Sequence, residues 1–263
     1  MNSMHIYDIF VLICNEIKIQ KLPKLELVSK YHKHNIKNFE WINNTLLVTN
    51  ELLLQHILQN YNFRNLQITF DANAYIGDLQ GFHTLILDNY IHPDNVSKLK
   101  KCHTVHFICG PSHLPNENLQ KLKYCHTIRT YSAIITNECL KKLKNCHKLE
   151  LRYPQSFITN NLDHIMTSYI NFANPFITDY GIKYLKNCHT LYLNTPYVTN
   201  NGILQLKKCH TLYLNSWHIR NKSIKKLYKC YKIYLLTQYV TPEHIKKLGN
   251  DNVVHYNVVD VNE

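Results

Sequence analysis

A cysteine returns on a fixed beat through most of this chain. Cys102, Cys125, Cys146, Cys188, Cys209 and Cys230 are separated by 23, 21, 42, 21 and 21 residues. The interval of 42 reads as two periods, with Thr167 on the missing beat, and Phe63 and Phe82 hold the same position upstream. The flanks repeat too: Cys-His-Thr-Leu-Tyr-Leu starts at Cys188 and again at Cys209, with looser copies at Cys146, Thr167 and Cys230. Each copy holds an apolar-x-apolar unit, a short strand with two inward side chains. About ten such units run from Leu66/Ile68 to Val254/Tyr256.

A helix pattern follows each strand. In Val198-Thr-Asn-Asn-Gly-Ile-Leu-Gln-Leu-Lys-Lys208, Thr199 is placed as an N-cap and Ile203 and Leu206 share one face. The closing lysines suit the negative end of the helix dipole. Thr136, Thr178 and Thr241 repeat the cap, and Pro93 and Pro242 take the first helical position, where a missing N–H is harmless. A unit of about 21 residues cannot bury its own apolar face, but stacked units share one core. Parallel strands lie about 4.8 Å apart, so ten of them would make a curved sheet on the order of 45 Å long.

The string C-x-x-L-x-L-x4-[IV]-T-x3-[IL]-x-x-L-x-x-C resembles the cysteine-containing leucine-rich repeat, and Thr178-Asp179 with Gly181 and Leu185 is especially close to it. The resemblance covers roughly residues 45–263. The units are shorter than that family's usual length and are similar to repeats in proteins of large DNA viruses of protists. The fold it implies is α/β: a right-handed leucine-rich-repeat solenoid, with short parallel strands on the concave face and short helices on the convex face.

Residues 1–44 do not follow the repeat. Leu22, Leu25, Leu27, Val28, Ser29, Lys30 and Tyr31 resemble the second half of an F-box, and Ile9, Phe10 and Ile13 after Asp8 are placed like its first helix. The chain offers Ile6-Tyr7-Asp8 where that family opens with Leu-Pro and an acid, which bears on docking strength. The same segment would also serve as a helical cap for the first repeat. The resemblance implies an adaptor that docks a Skp-family linker of a cullin-type ubiquitin ligase through residues 1–44. Residues 45–263 would then hold a protein target, with the adaptor a monomer outside the ligase complex.

Other chemistry finds little support. Six glycines leave no phosphate-binding Gly-rich loop. The nine cysteines are odd in number, with no C-x-x-C, in a chain too long to need disulfide staples, so the expected setting is reducing and intracellular. A column of thiols one coil apart is a ladder and not a tetrahedral cage, so neither metal nor cofactor is expected. Cys-His recurs five times with the same neighbours, as framework and not as a single nucleophile–base pair. Cys14, Cys109 and Cys139 fall off the beat. His83, His103, His126, His147, His189 and His210 would stack as a second, neutral ladder.

Recognition is expected on the outward middle residue of each strand: His106, Arg129, Glu150, Asn171, Tyr192, Tyr213 and Tyr234, with Gln67, Ile86 and His255 at the ends. The alternatives are an interaction scaffold with no ubiquitin link and, from the net charge of +12, a basic nucleic-acid-binding surface.

Overall fold

The structure, a computed structural model, describes residues 40–108, 115–130, 135–151, 174–216, 218–236 and 253–256. Its strands are β1 (Glu40–Val48), β2 (Asn62–Ile68), β3 (Thr84–Leu87), β4 (Thr104–Phe107) and β5 (Thr127–Thr130). They continue as β6 (Lys148–Leu151), β7 (Thr190–Asn194), β8 (Thr211–Asn215), β9 (Lys232–Leu236) and β10 (Val253–Tyr256). All ten form one parallel sheet in chain order. This is the leucine-rich-repeat solenoid that the period implies.

The helices between strands are short. After α1 (Glu51–Asn60) come α2 (Pro93–Val96), α3 (Asn116–Leu119), α4 (Asn137–Lys142), α5 (Asp179–Ile182), α6 (Asn200–Ile203) and α7 (Asn221–Ile224). Except for α1 and α4, each runs on into one turn of 3-10 helix, which ends the element within a coil of this length. Thr136 and Thr199 cap as expected, accepting from the Cys139 and Asn201 amides, and Pro93 opens α2. Thr178 makes no such cap bond; its hydroxyl accepts instead from Asn137 of the preceding coil. Thr241 and Pro242 lie outside the described residues.

One core runs from Trp41 to Ile233. Inward strand residues such as Leu191 and Leu193 join helix residues such as Ile203 and Leu206 in it, all four buried. Burying a leucine contributes about 1.5–3 kcal/mol. In the first described coil Trp41 stacks on Phe63, ring centroids 5.4 Å apart, and both are buried.

Two expectations about the repeat need correction. β6 pairs directly with β7, Leu149 opposite Leu191 and Glu150 opposite Tyr192, and the Thr190 amide donates to the His147 carbonyl at 3.1 Å. Those hydrogen bonds leave no slot for a strand between them. The interval of 42 residues therefore advances the sheet by one coil and not two. Residues 152–173, with Thr167 and Asn171, lie outside the described residues. The tenth strand is instead β1, which starts at Glu40 and straddles the expected boundary at residue 45. Residues 1–39, carrying Ile9, Phe10, Ile13, Leu22, Leu25, Leu27, Val28 and Tyr31, also lie outside the described residues.

Candidate functional site

Strand periodicity places the middle residues on the face of the sheet opposite the buried leucines and the described helices. The register joins Gln67, Ile86, His106 and Arg129, then Glu150, Tyr192, Tyr213, Tyr234 and His255, as successive partners in one column. The face divides into two chemistries.

From Tyr192 to Tyr234 it is aromatic. The Tyr192 and Tyr213 rings lie 3.8 Å apart at 12°, and those of Tyr213 and Tyr234 lie 3.8 Å apart at 4°. The three phenols are half-buried. Desolvation, then hydrogen bonding to the flanking phenols, drives the Tyr213 hydroxyl well above the ordinary tyrosine range. The Tyr213 phenol is therefore held neutral at the centre of an amphipathic aromatic column.

Next to it lies an ionic cluster. The Arg129 Nε lies 2.5 Å from Glu150 Oε2 and the Lys148 Nζ 2.9 Å from Oε1, so both carboxylate oxygens are engaged. Glu150 was expected to be presented for recognition. It is only 1% exposed, whereas Arg129 and Lys148 are 32% and 38% exposed. A buried carboxylate needs paired cations, and here they lie across it. The face therefore offers a partner positive charge at this point.

The anchor cysteines sit beneath the start of each strand. All six are buried, and the thiols of Cys102, Cys125, Cys146, Cys188 and Cys230 lie within hydrogen-bonding range of backbone carbonyls of the preceding coil. Burial pushes the Cys102, Cys125 and Cys188 thiols up to about 12 and Cys230 to about 11. Such thiols are packing groups and not nucleophiles. Among the described residues, no three His, Cys, Asp or Glu side chains converge in a way that could hold a metal ion.

Cys139 is not incidental, as its place off the beat implied. It is fully buried in α4, a multiple of 21 residues ahead of Gly181, Gly202 and Ser223. This is a second column, restricted to small side chains by a polar ladder that sequence reasoning missed. In four successive coils the first helical residue accepts a side-chain hydrogen bond from the next coil's backbone. Asn116 accepts from the Thr136 amide at 2.9 Å and Asn137 from Thr178 at 3.0 Å; Asp179 accepts from Thr199 at 2.7 Å and Asn200 from Arg220 at 2.8 Å. A Cβ on Gly181 would lie 2.2 Å from Asn137 Oδ1, and one on Gly202 2.2 Å from Asp179 Oδ1. The signal was present as Asn or Asp directly after each cap position.

The six histidines form the expected ladder on the exposed edge where strands begin. Successive ring centroids from His83 to His210 lie 4.3–4.6 Å apart, and Tyr231 continues the stack at 4.7 Å. Desolvation first, then the neighbouring imidazoles, lower His103, His126 and His189 below the ordinary value of 6.5, as desolvation and His126 do for His147.

No protein-family model matches the chain, and no curated protein matches it. Solved structures do. An internalin (inlF) of Listeria monocytogenes is similar at 14% identity over 88% of this chain, with a TM-score of 0.49. The functional domain of InlJ from Listeria monocytogenes, which includes a cysteine ladder, matches at 10% identity over 83% of this chain, TM-score 0.46. The Toll–Spatzle complex of Drosophila matches at 9% identity over 80% of this chain, TM-score 0.49. The chain spans 64%, 48% and 29% of these three, less than two thirds of each.

Proposed function

We propose that this chain is a non-enzymatic recognition protein that recruits a protein target to a cullin-type ubiquitin ligase. The observation that carries the recognition half is the in-register column Tyr192–Tyr213–Tyr234 beside the Arg129–Glu150–Lys148 cluster, on the sheet face away from the described helices. Stacked tyrosines give a large rigid contact at low entropic cost, the kind of surface enriched at protein interfaces. The exposed cations next to them favour an acidic segment in the target. Recruitment works by proximity: the solenoid raises the target's effective concentration at the ligase and does no chemistry.

The ligase half rests on the F-box-like residues, Leu22, Leu25, Leu27, Val28 and Tyr31 with Ile9, Phe10 and Ile13, which would dock a Skp-family linker. The second reading, a scaffold without a ubiquitin link, shares the recognition face and lacks this docking. Co-purification of the full chain with a Skp-family protein separates the two. The adaptor reading expects a complex that is lost on Phe10→Ala with Leu27→Ala and retained on Tyr213→Ala. An intact chain that binds no such linker leaves the scaffold. Among the described residues, no helix is long and apolar enough to cross a membrane.

A further inference from the structure

The stretches from the last core leucine of each helix to the first strand residue fall at 99–104, 122–127, 143–148, 185–190, 206–211 and 227–232. Stacking brings them together along one edge of the solenoid. They hold ten lysines and not one carboxylate. Some coils contribute a pair, as with Lys100–Lys101 and Lys207–Lys208, and Lys148 and Lys232 add a charge at the strand start. Eight of the ten are exposed, and among the described residues only Lys148 pairs with a carboxylate. Glu150 aside, which is buried mid-strand, the acids of these coils lie elsewhere: Asp94, Glu117, Glu138 and Asp179 sit in first helical turns, on the opposite edge. The helix dipole favours that segregation coil by coil, and repetition turns it into an edge of one sign.

The histidine ladder runs inside this edge. In five of its six members Nδ1 contacts the next residue's threonine hydroxyl at 3.0–3.1 Å. When the hydroxyl donates to Nδ1, the ring proton sits on Nε2 and even the neutral imidazole is a donor toward an anion. The rings stack on one another, which occupies their faces and leaves only their edges to a ligand. A base cannot stack there, but a phosphate can bind.

We propose that this edge docks the phosphodiester backbone of duplex nucleic acid without regard to sequence. Six coils at about 4.8 Å per step give a charged row on the order of 25 Å, which matches about seven base pairs at about 3.4 Å each. A duplex backbone is extended and of one sign of charge, and the row is extended and of the opposite sign. A membrane surface would instead call for aliphatic side chains to insert; the exposed side chains of this edge are eight lysines, five histidines, Asn145, Asn187 and the tyrosines Tyr124, Tyr228 and Tyr231, with no aliphatic group among them. The edge meets the recognition face at Lys148 alone, and the lysines substituted below lie outside that face, so the test is independent of the protein-recognition reading.

The test is anisotropy of a labelled 20-base-pair duplex with the full chain over a salt series. The edge variant is Lys100→Gln, Lys101→Gln, Lys207→Gln and Lys208→Gln together. Its control is Lys98→Gln, Lys121→Gln, Lys142→Gln and Lys226→Gln, which removes the same charge from exposed positions just ahead of the last core leucine. The edge variant is expected to weaken binding at least tenfold and to reduce the log–log salt slope by about 3–4, from about 0.9 per phosphate contact. The control is expected to lose less than threefold, and two duplexes of unrelated sequence to bind alike. Equal losses in both variants, salt-independent binding, or edge-dependent capture of phosphatidylserine vesicles without duplex binding would each overturn the proposal. Far-ultraviolet circular dichroism confirms that both variants fold.

Discussion

Replacing Gly181 by alanine tests the polar ladder between coils. Taken alone, alanine in a helix gains about 0.5–1 kcal/mol over glycine. At Gly181 the added Cβ meets Asn137 Oδ1 at 2.2 Å, so the Asn137 side chain must swing away. It then gives up its bond from the Thr178 amide at 3.0 Å and its bond to the Thr178 hydroxyl at 2.9 Å. Two hydrogen bonds at about 0.5–1.5 kcal/mol each, plus about 1–3 kcal/mol for a partly buried amide left without an acceptor, outweigh the helix gain. The expected net loss is about 2 kcal/mol, which lowers Tm by about 4–8 °C in a chain of this size. Urea unfolding followed by circular dichroism measures the loss, and Asn137→Ala completes a double-mutant cycle. In the Asn137→Ala background the Oδ1 and Cγ contacts are gone and only the residue-137 Cα, 3.1 Å from the new Cβ, stays close, so Gly181→Ala there should cost much less than in the native background. If the two single losses simply add, Asn137 is not what excludes a side chain at Gly181, and the ladder argument fails.

Two further outcomes follow from the columns. With Cys102, Cys125 and Cys188 pushed up to about 12, iodoacetamide at pH 8 should leave these cysteines unlabelled in the native chain and label them after unfolding; fast native labelling at any of them, read by peptide mass, contradicts their burial. The histidine ladder should make stability fall on acidification. His103, His126, His147 and His189 are lowered in the fold, so between their folded values and 6.5 the unfolded chain binds more protons. Stability therefore rises with pH through that window and flattens above it, and His126→Gln should shallow the slope measured by urea midpoints from pH 4.5 to 7.5. An unchanged slope would mean the ladder does not resist charging.

The two halves of the proposed function differ in how far each could be derived from residues alone. Tyr192, Tyr213 and Tyr234 were readable because they occupy one repeat position, and a residue's face follows from strand period once the strand is found. Glu150 was placed on the right face but with the wrong exposure. It is buried with its oxygens paired to Arg129, from the neighbouring strand, and Lys148, from its own, and no spacing rule encodes that.

The repeat period alone determined the solenoid, the inward leucines, the buried cysteine column and the stacked histidines. It could do so because each coil reuses the same few positions, and any in-register stacking of 21-residue units brings those positions together. Tertiary structure decided which coils are neighbours. His147 hydrogen-bonds to residues 189 and 190, and Asn137 reaches Thr178, across an interval the period would divide in two. Strand edges pair with whatever edge closes the best hydrogen-bonded ladder, and that choice lies between distant segments. The Asx ladder, the small-residue column through Cys139 and Gly181, and the single-signed lysine edge all follow from that pairing.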